Sequence, residues 1–378
     1  MRANGTQALK ESLRRGDALP EVWIRFPRQL GDVIFALPFL GSLQREWNAA
    51  AAELGVTLKW VAVGHAIGAA VFSEAAPSVI AESVIETGGV GKPDPWMLLR
   101  RWRRERPVAV INLSQSVRLI LAAWMARVPI RGGIADNNLS LLYTHPFKYR
   151  DLPIHIVQRY RPLLEKLTGR ADLRWLPITP GLLGGSRALP LLREAGWDGR
   201  PYVVLAFGTR GEEKRWFPEL ENWPGLSRIL MAQGFATVLL GSPDEMPLAA
   251  EIAALAPGTL DLTGLTTIPE ACAVQYHAYG CVGVDTGLSH CSAGAGRPTV
   301  TLMNMSLEHL IQPQGPYSVA VRGPAMGLAE DERAGNPRGG GAHRITPLRA
   351  ANVLHALARE AAQEEVEPSS ASISRNLP

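Results

Sequence analysis

Short apolar runs rich in β-branched residues alternate with longer amphipathic stretches along most of this 378-residue chain. Val22-Trp-Ile-Arg-Phe26 predicts a strand. Asp32 to Trp47 predicts a helix, with Ala36, Leu37, Leu40, Leu43 and Trp47 on or near one apolar stripe. Thr57 to Val63, Val79 to Ile85, Val108 to Ile111 and a shorter segment at Ile130 read as further strands, and Ser116 to Ala126 as a helix between them. This alternation is that of an α/β domain built on a mostly parallel sheet. His155 to Leu167 predicts a longer helix, and Leu173 to Arg187, rich in Pro, Gly and Leu, reads as a linker between domains.

A second series then begins with strand Tyr202 to Ala206, helix Pro218 to Gln233, strand Ala236 to Leu240 and helix Glu245 to Leu255. It continues with helix Ile268 to Tyr276, strand Cys281 to Val284, helix Leu288 to Ala295 and strand Thr299 to Met303. Residues 322–343, rich in Gly, Pro and Arg, predict a long loop, and Thr346 to Glu360 a final helix. The expected organisation is a flexible leader (1–20), a first Rossmann-like domain (21–172), a linker (173–190) and a second Rossmann-like domain (191–343). A helix over 344–361 is expected to pack back on the first domain, ahead of a disordered tail (362–378). Two such domains facing each other define a central cleft. Ligands of open α/β sheets bind beyond the carboxyl ends of the strands.

At 46% hydrophobic and 20% charged, a chain of this length can bury two cores. Cys272, Cys281 and Cys291 do not make a disulfide framework, and nothing at the start resembles a secretion signal. A reducing cytoplasmic setting is expected. A membrane span is not, because no run of about 18 uncharged apolar residues occurs. The net charge of +4 is modest, but Arg100-Arg-Trp-Arg-Arg-Glu-Arg106 concentrates cations. It reads either as a solvated helix face or as contact with an anionic lipid headgroup or polyanionic acceptor. No module with nucleic-acid-recognition spacing appears.

Three constellations carry candidate chemistry. In Arg28-Gln29-Leu-Gly31-Asp32, the glycine permits a tight turn and close backbone approach. Asp32 then serves either as a first-turn helix carboxylate or as a general base. Phe207-Gly208-Thr209-Arg210-Gly211, with Lys214 beyond, sets glycines beside a hydroxyl and cations, a combination that suits a diphosphate. The alternative is an exposed loop paired internally with Glu212 and Glu213. Asp285-Thr286-Gly287-Leu-Ser289-His290 brings a strand end to a helix start, where backbone N–H groups favour phosphate. His290 is there either a phosphate donor or a capped structural residue. Gly241-Ser242 and Thr263-Gly264 add turns that together suit a base and ribose. His65, His145, His155, His277 and His309 are dispersed and the cysteines lack paired spacing, so no metal site is expected. G-x-S-x-G and G-x-G-x-x-G are both absent.

Taken in order, these motifs resemble the heptosyltransferases of glycosyltransferase family 9. The resemblance runs from about Val22 to Ala358 and is carried by Ile24-Arg25, Leu30-Gly31-Asp32-Val33, Leu37-Pro38, Lys214-Arg-Trp216, Asp261-Leu-Thr263-Gly264 and Val284-Asp285-Thr286-Gly287 with Ser289-His290. It implies a GT-B fold, an ADP-heptose-like donor as substrate with no cofactor or metal, and inversion at the anomeric carbon. It also implies an anionic, lipid-linked lipopolysaccharide core or related acceptor, met at the cytoplasmic face of the inner membrane. By the same resemblance Asp32 is the base and Lys214 meets donor phosphate. The donor-side residues are Thr209, Arg210, Gly241, Ser242, Thr263, Gly264, Asp285, Thr286, Gly287 and His290. Arg28 and Gln29 fall on the acceptor side. Where family members carry a Gly-Pro-Thr-type loop, this chain has Asn304-Met-Ser-Leu-Glu308-His309. Glu308 and His309 are therefore candidate contacts to the donor sugar, or part of a variable surface loop. A nucleotide-sugar epimerase or hydrolase on this fold, and a non-catalytic nucleotide-sugar or glycan-binding protein, are the alternative functions.

Overall fold

The computed structural model describes residues 4–64, 68, 71, 82–85, 95–135, 139–148, 154–179, 182–304, 308–323 and 341–366. His65, residues 79–81 of one expected strand, most of the expected 322–343 loop and the tail beyond residue 366 lie outside them. The chain divides into two compact units, with Leu176 closing the first and Pro177 opening the second.

The first unit opens with α1 (Gly5–Arg15). Asn4 caps it by accepting the Gln7 N–H at 2.9 Å, and Gly16 ends it in the left-handed region at φ 65°. These residues lie in the expected leader, yet α1 is docked: Leu9 and Ser12 are buried and the Thr6 hydroxyl donates to the Leu167 carbonyl. Then follow β1 (Leu19–Arg25), α2 (Leu30–Phe35), α3 (Leu37–Ala52), β2 (Lys59–Gly64), β3 (Glu82–Ile85), α4 (Pro95–Glu105), β4 (Pro107–Asn112), α5 (Val117–Met125), β5 (Ile130–Ile134), β6 (His145–Phe147) and α6 (Arg161–Thr168). The one helix expected over Asp32–Trp47 is two, because Pro38 in the first turn of α3 has no N–H with which to continue the ladder of α2. The sheet is parallel with order β3-β2-β1-β4-β5-β6. On one face Trp23, Val61, Val63 and Val110 pack against Leu98 and Trp102 of α4 and Leu119 and Ile120 of α5.

The second unit contains α7 (Leu182–Glu194), β7 (Tyr202–Ala206), α8 (Glu219–Ala232), β8 (Ala236–Leu239), α9 (Met246–Leu255), β9 (Leu260–Asp261), α10 (Ile268–Tyr276), β10 (Gly280–Val284), α11 (Gly287–Gly294), β11 (Thr299–Leu302), α12 (Glu308–Ile311), β12 (Ser318–Val321) and α13 (Pro347–Val366). Its sheet, also parallel, runs β12-β11-β10-β7-β8-β9. Side chains of β7 alternate between two cores: Val203 and Leu205 enter one, Tyr202, Val204 and Ala206 the other. Both faces of a parallel sheet are thus covered.

Two expected boundaries are corrected here. The second half of the expected linker is α7, which buries Ala188, Leu191 and Leu192 in the core. The last helix, expected to return to the first domain, packs on the second sheet instead: Ala350, Ala351 and Leu354 join Trp223, Val282 and Val300. It also continues to Val366 rather than stopping near 361.

Candidate active site

Each sheet changes winding direction between two adjacent strands, β1/β4 in the first and β7/β10 in the second. Crevices open beyond the carboxyl ends of strands at such points. Arg28, Gln29 and Asp32 follow β1 at the first. Thr209 to Lys214 and Asp285 to His290 follow β7 and β10 at the second, and Gly241-Ser242 and Thr263-Gly264 follow the neighbouring β8 and β9.

In the first unit, strand register sets Arg25 beside Asn112 at the ends of β1 and β4. The chain leaving β1 makes the turn 26–29 and enters α2, which carries Asp32 in its first turn. The chain leaving β4 is held by Asn112, which is fully buried. Its amide donates to the Ser116 carbonyl and the Tyr143 hydroxyl, both at 2.9 Å, while its Oδ1 accepts from Ser114 Oγ at 3.1 Å and from the Ser116 N–H at 3.3 Å. Ser116 then caps α5 by accepting the Leu119 N–H. Between these two loops lies an open cavity of about 620 Å³, whose walls include Arg25, Arg28, Gln29, Asp32, Ser114 and Arg118. The Arg25 guanidinium donates to Ser114 Oγ. Three guanidiniums and one carboxylate therefore face a shared space, which suits an anionic ligand with a hydroxyl to deprotonate. Asp32, Arg28 and Gln29 were singled out in the sequence. Arg25 stood out only within the Ile24-Arg25 motif, with no site role; Asn112, Ser114 and Arg118 did not, although the polar cluster after Ile111 is a visible signal.

In the second unit, Asp285 follows β10 and is buried. Its carboxylate pairs with Lys214 Nζ at 2.8 Å and lies 3.7 Å from His290 Nε2. Lys214 ends a 3-10 turn, Glu212–Lys214, on the loop leaving β7. It reaches Asp285 rather than Glu212 or Glu213, so the internally paired loop is not what forms. Thr209 on the same loop donates to the Asp285 carbonyl at 3.5 Å, and Arg210 is exposed. Thr286 is the N-cap residue of α11, and its side chain makes no capping bond. Ser289 in the first turn of α11 spends its hydroxyl on the Val284 carbonyl at 2.7 Å. A Cβ at Gly283 would stand 2.3 Å from that hydroxyl, so the glycine is required there. Trp216 of the Lys214 motif is an anchor: fully buried, it stands edge-on to Trp223 and donates to the Ile345 carbonyl at 3.1 Å.

The base-and-ribose candidates also converge. The Gly264 N–H donates to the Gly241 carbonyl at 3.0 Å, and the Thr263 N–H donates to Asp261 Oδ1 at 2.8 Å. Glu245, which sequence reasoning passed over, accepts from the Ser242 N–H at 2.6 Å. Its carboxyl lies where a Cβ of Gly208 would sit, which ties the ends of β7 and β8 together. Asn304 donates to the Arg215 carbonyl at 2.6 Å and accepts the Ala342 N–H at 2.5 Å, holding the start of the divergent loop. Residues 305–307 and the Glu308 side chain lie outside the described residues, and His309 is exposed on α12. All three cysteines are buried and unbridged. Burial pushes the Cys281 thiol up to about 12, and hydrogen bonding to Cys272 together with burial raises Cys291 well above the ordinary thiol range. Among the described residues no group of three or more His, Cys, Asp or Glu is arranged to hold a metal ion, and no helix is long and apolar enough to cross a membrane.

Two parallel α/β units, each with candidate residues at its switch point, make a two-lobed fold that also occurs in solved glycosyltransferases. The structure of E. coli ADP-heptose LPS heptosyltransferase II matches with a TM-score of 0.73 at 20% identity, covering 90% of this chain and 99% of that one. E. coli heptosyltransferase WaaC with ADP matches at 0.65 and 23% identity, covering 89% and 99%. At these identities the two matches establish the GT-B fold. Sequence comparison adds the family. The model for "Glycosyltransferase family 9 (heptosyltransferase)" matches residues 96–337. Lipopolysaccharide heptosyltransferase 1 of Pseudomonas aeruginosa is 29% identical over 288 residues, 72% of this chain and 75% of that protein. This chain belongs to glycosyltransferase family 9, the heptosyltransferases, and is an enzyme of that family.

Proposed function

We propose that the protein is an inverting glycosyltransferase that moves a heptose-like sugar from an ADP-sugar to a lipopolysaccharide core or related anionic, lipid-linked glycan. Family membership supports the reaction class. The relatives named for lipopolysaccharide heptosyl transfer, and the matching structure that binds ADP, support the donor and acceptor types. The observation that carries the reading is the cavity that Asp32 shares with Arg25, Arg28 and Arg118.

In this mechanism the arginines hold the acceptor's anionic groups and Asp32 takes the proton from its attacking hydroxyl. The new bond forms from that oxygen to the anomeric carbon. The bond from the anomeric carbon to the phosphate oxygen breaks, and its electron pair leaves with the nucleoside diphosphate. A carboxylate is a weak base, but it suffices when the hydroxyl loses its proton only as the new bond forms. Lys214 has three donors and gives one to Asp285, so two remain for diphosphate oxygens. Thr286 and the free N–H groups at the start of α11 add further donors aimed at the developing charge. Gly241, Ser242, Thr263 and Gly264 would hold the nucleoside, Thr209 and Arg210 would flank the diphosphate, and Glu308 or His309 would meet the sugar. The nucleotide sugar is a substrate, and the chemistry asks for no resident cofactor.

The test is mass analysis of truncated lipopolysaccharides incubated with the protein and a panel of ADP-sugars. Addition of one sugar unit is the expected result. Donor consumption without acceptor, or binding with no product from any donor, would sink the reading in favour of a hydrolase, an epimerase or a binding protein.

A further inference from the structure

Helix α5 is only half accounted for by the core. Leu119, Ile120, Ala122 and Ala123 are buried, but Val117, Leu121 and Trp124 are 43%, 42% and 49% exposed. Their spacing of four and then three residues puts all three on one stripe. The neighbouring elements extend it. The turn Ser140–Leu142 packs on α5 and presents Leu141 at 88% exposure, and α4 packs on α5 and begins with Trp96 at 64% exposure. Five large apolar side chains so exposed around one helix form more of a patch than scattered surface apolar residues usually make.

The charge of the stretch that carries this patch is strongly positive. Residues 95–142 contain eight arginines and two acidic residues, Glu105 and Asp136. Arg101 is taken up locally: its guanidinium lies 4.6 Å from the Trp23 ring centre and bonds Glu105 at 2.6 Å. Arg104 also pairs with Glu105, at 3.0 Å, but stays largely exposed. Arg100, Arg103, Arg106, Arg118 and Arg127 are exposed as well. A short apolar stripe with tryptophans, on elements that also carry exposed arginines, matches the water–lipid boundary of an anionic bilayer. There the stripe enters the acyl boundary, the indoles sit at headgroup depth and the guanidiniums meet lipid phosphates. A protein partner would have to supply acidic groups around its own apolar patch, whereas an anionic bilayer has both by nature.

We propose that α5, with Trp96 and Leu141, is the surface by which the protein seats itself on an anionic membrane. The stripe starts at Val117, whose neighbour Arg118 also lines the Asp32 cavity. A lipid-linked acceptor therefore passes from bilayer to cavity along one helix. That last step rests on the function proposed above; the membrane contact itself does not.

The test is co-sedimentation with vesicles of phosphatidylglycerol and phosphatidylethanolamine, set against pure phosphatidylcholine. The expected result is at least tenfold tighter binding to the anionic vesicles. Leu121→Ser with Trp124→Ser should lower that binding about tenfold, and Arg103→Gln with Arg127→Gln should remove most of the preference for anionic lipid. Bromine-labelled lipid should quench tryptophan emission in the parent protein and less so in Trp124→Phe, a milder change that guards against misfolding of the serine pair. Unchanged vesicle binding by the serine pair overturns the proposal. So does a parent protein that ignores vesicles but forms a dimer broken by the same pair, which would make the stripe a protein interface. Transfer to a delipidated, soluble acceptor should stay within twofold in the serine pair. Vesicle binding without transfer to any acceptor would overturn the proposed function and leave this surface standing. Transfer without vesicle binding would do the reverse.

Discussion

The two sheets share a strand order and a switch point, yet they furnish that point in opposite ways. In the first unit the strand ends open onto a cavity in which three arginines outnumber one carboxylate, and a buried asparagine holds the loop. In the second unit the cation is already matched: Lys214 rests on buried Asp285, beside the start of a helix. An arginine-rich open cavity is poised to take up a multiply charged ligand. A neutralised lysine held on the residue that leads into a helix start is suited to charge that grows during a reaction, because little has to reorganise when it appears. One scaffold thus supports two kinds of electrostatics through its loops alone.

The sharpest way to break this contrast is Asp32→Asn, which keeps shape and removes the base. Transfer should fall by about a thousandfold, the range expected for loss of a general base, while calorimetric donor affinity stays unchanged. Normal turnover would strip Asp32 of its role. A smaller effect is expected in the other unit: Lys214→Ala should weaken donor binding or slow leaving-group departure by roughly a hundredfold. Because it uncovers a buried carboxylate, it should also lower stability, by about 2 kcal/mol after allowance for the one-third exposure of the lysine. Unchanged kinetics would remove Lys214 from the mechanism.

The same contrast marks how far the sequence could be read. Gly31-Asp32 and Asp285 to His290 stood out because each is a local event, a strand end meeting a glycine turn and a helix. What surrounds them is not local. Arg25 and Asn112 become neighbours only because β1 pairs with β4, and Lys214 meets Asp285 only because β7 lies beside β10. Glu245 reaches Gly208 only because β8 lies beside β7. The final helix failed in another way. Its apolar spacing shows that it must bury a face, but many faces satisfy that demand, and Leu354 found Val282 in the second sheet. Helix α1 was missed because its polar length concealed the few side chains that dock it.

A third measurement sharpens the division of labour. Arg28→Ala or Arg118→Ala should raise the acceptor KM about tenfold, as expected for one lost charge-assisted contact in an accessible site, with donor KM unmoved. An effect on donor KM alone would mean that the cavity had been assigned to the wrong substrate.

The smallest expected effect separates the units by stability rather than kinetics. All three thiols lie in the second unit, and Cys281 is held up at about 12 by burial. In the unfolded chain a thiol ionises near pH 8.5. Between those values the folded protein keeps a proton that the unfolded chain has released. The stability that this thiol contributes is therefore whole below about pH 8.5 and declines as pH rises. From pH 8 to 9.5 the loss should be roughly 1 kcal/mol for this thiol. Urea unfolding followed at the two pH values should show Cys281→Ala losing less stability than the parent by about that amount. Equal losses in both proteins would mean that the Cys281 thiolate is tolerated where it lies, and that the second core is wetter than its packing implies.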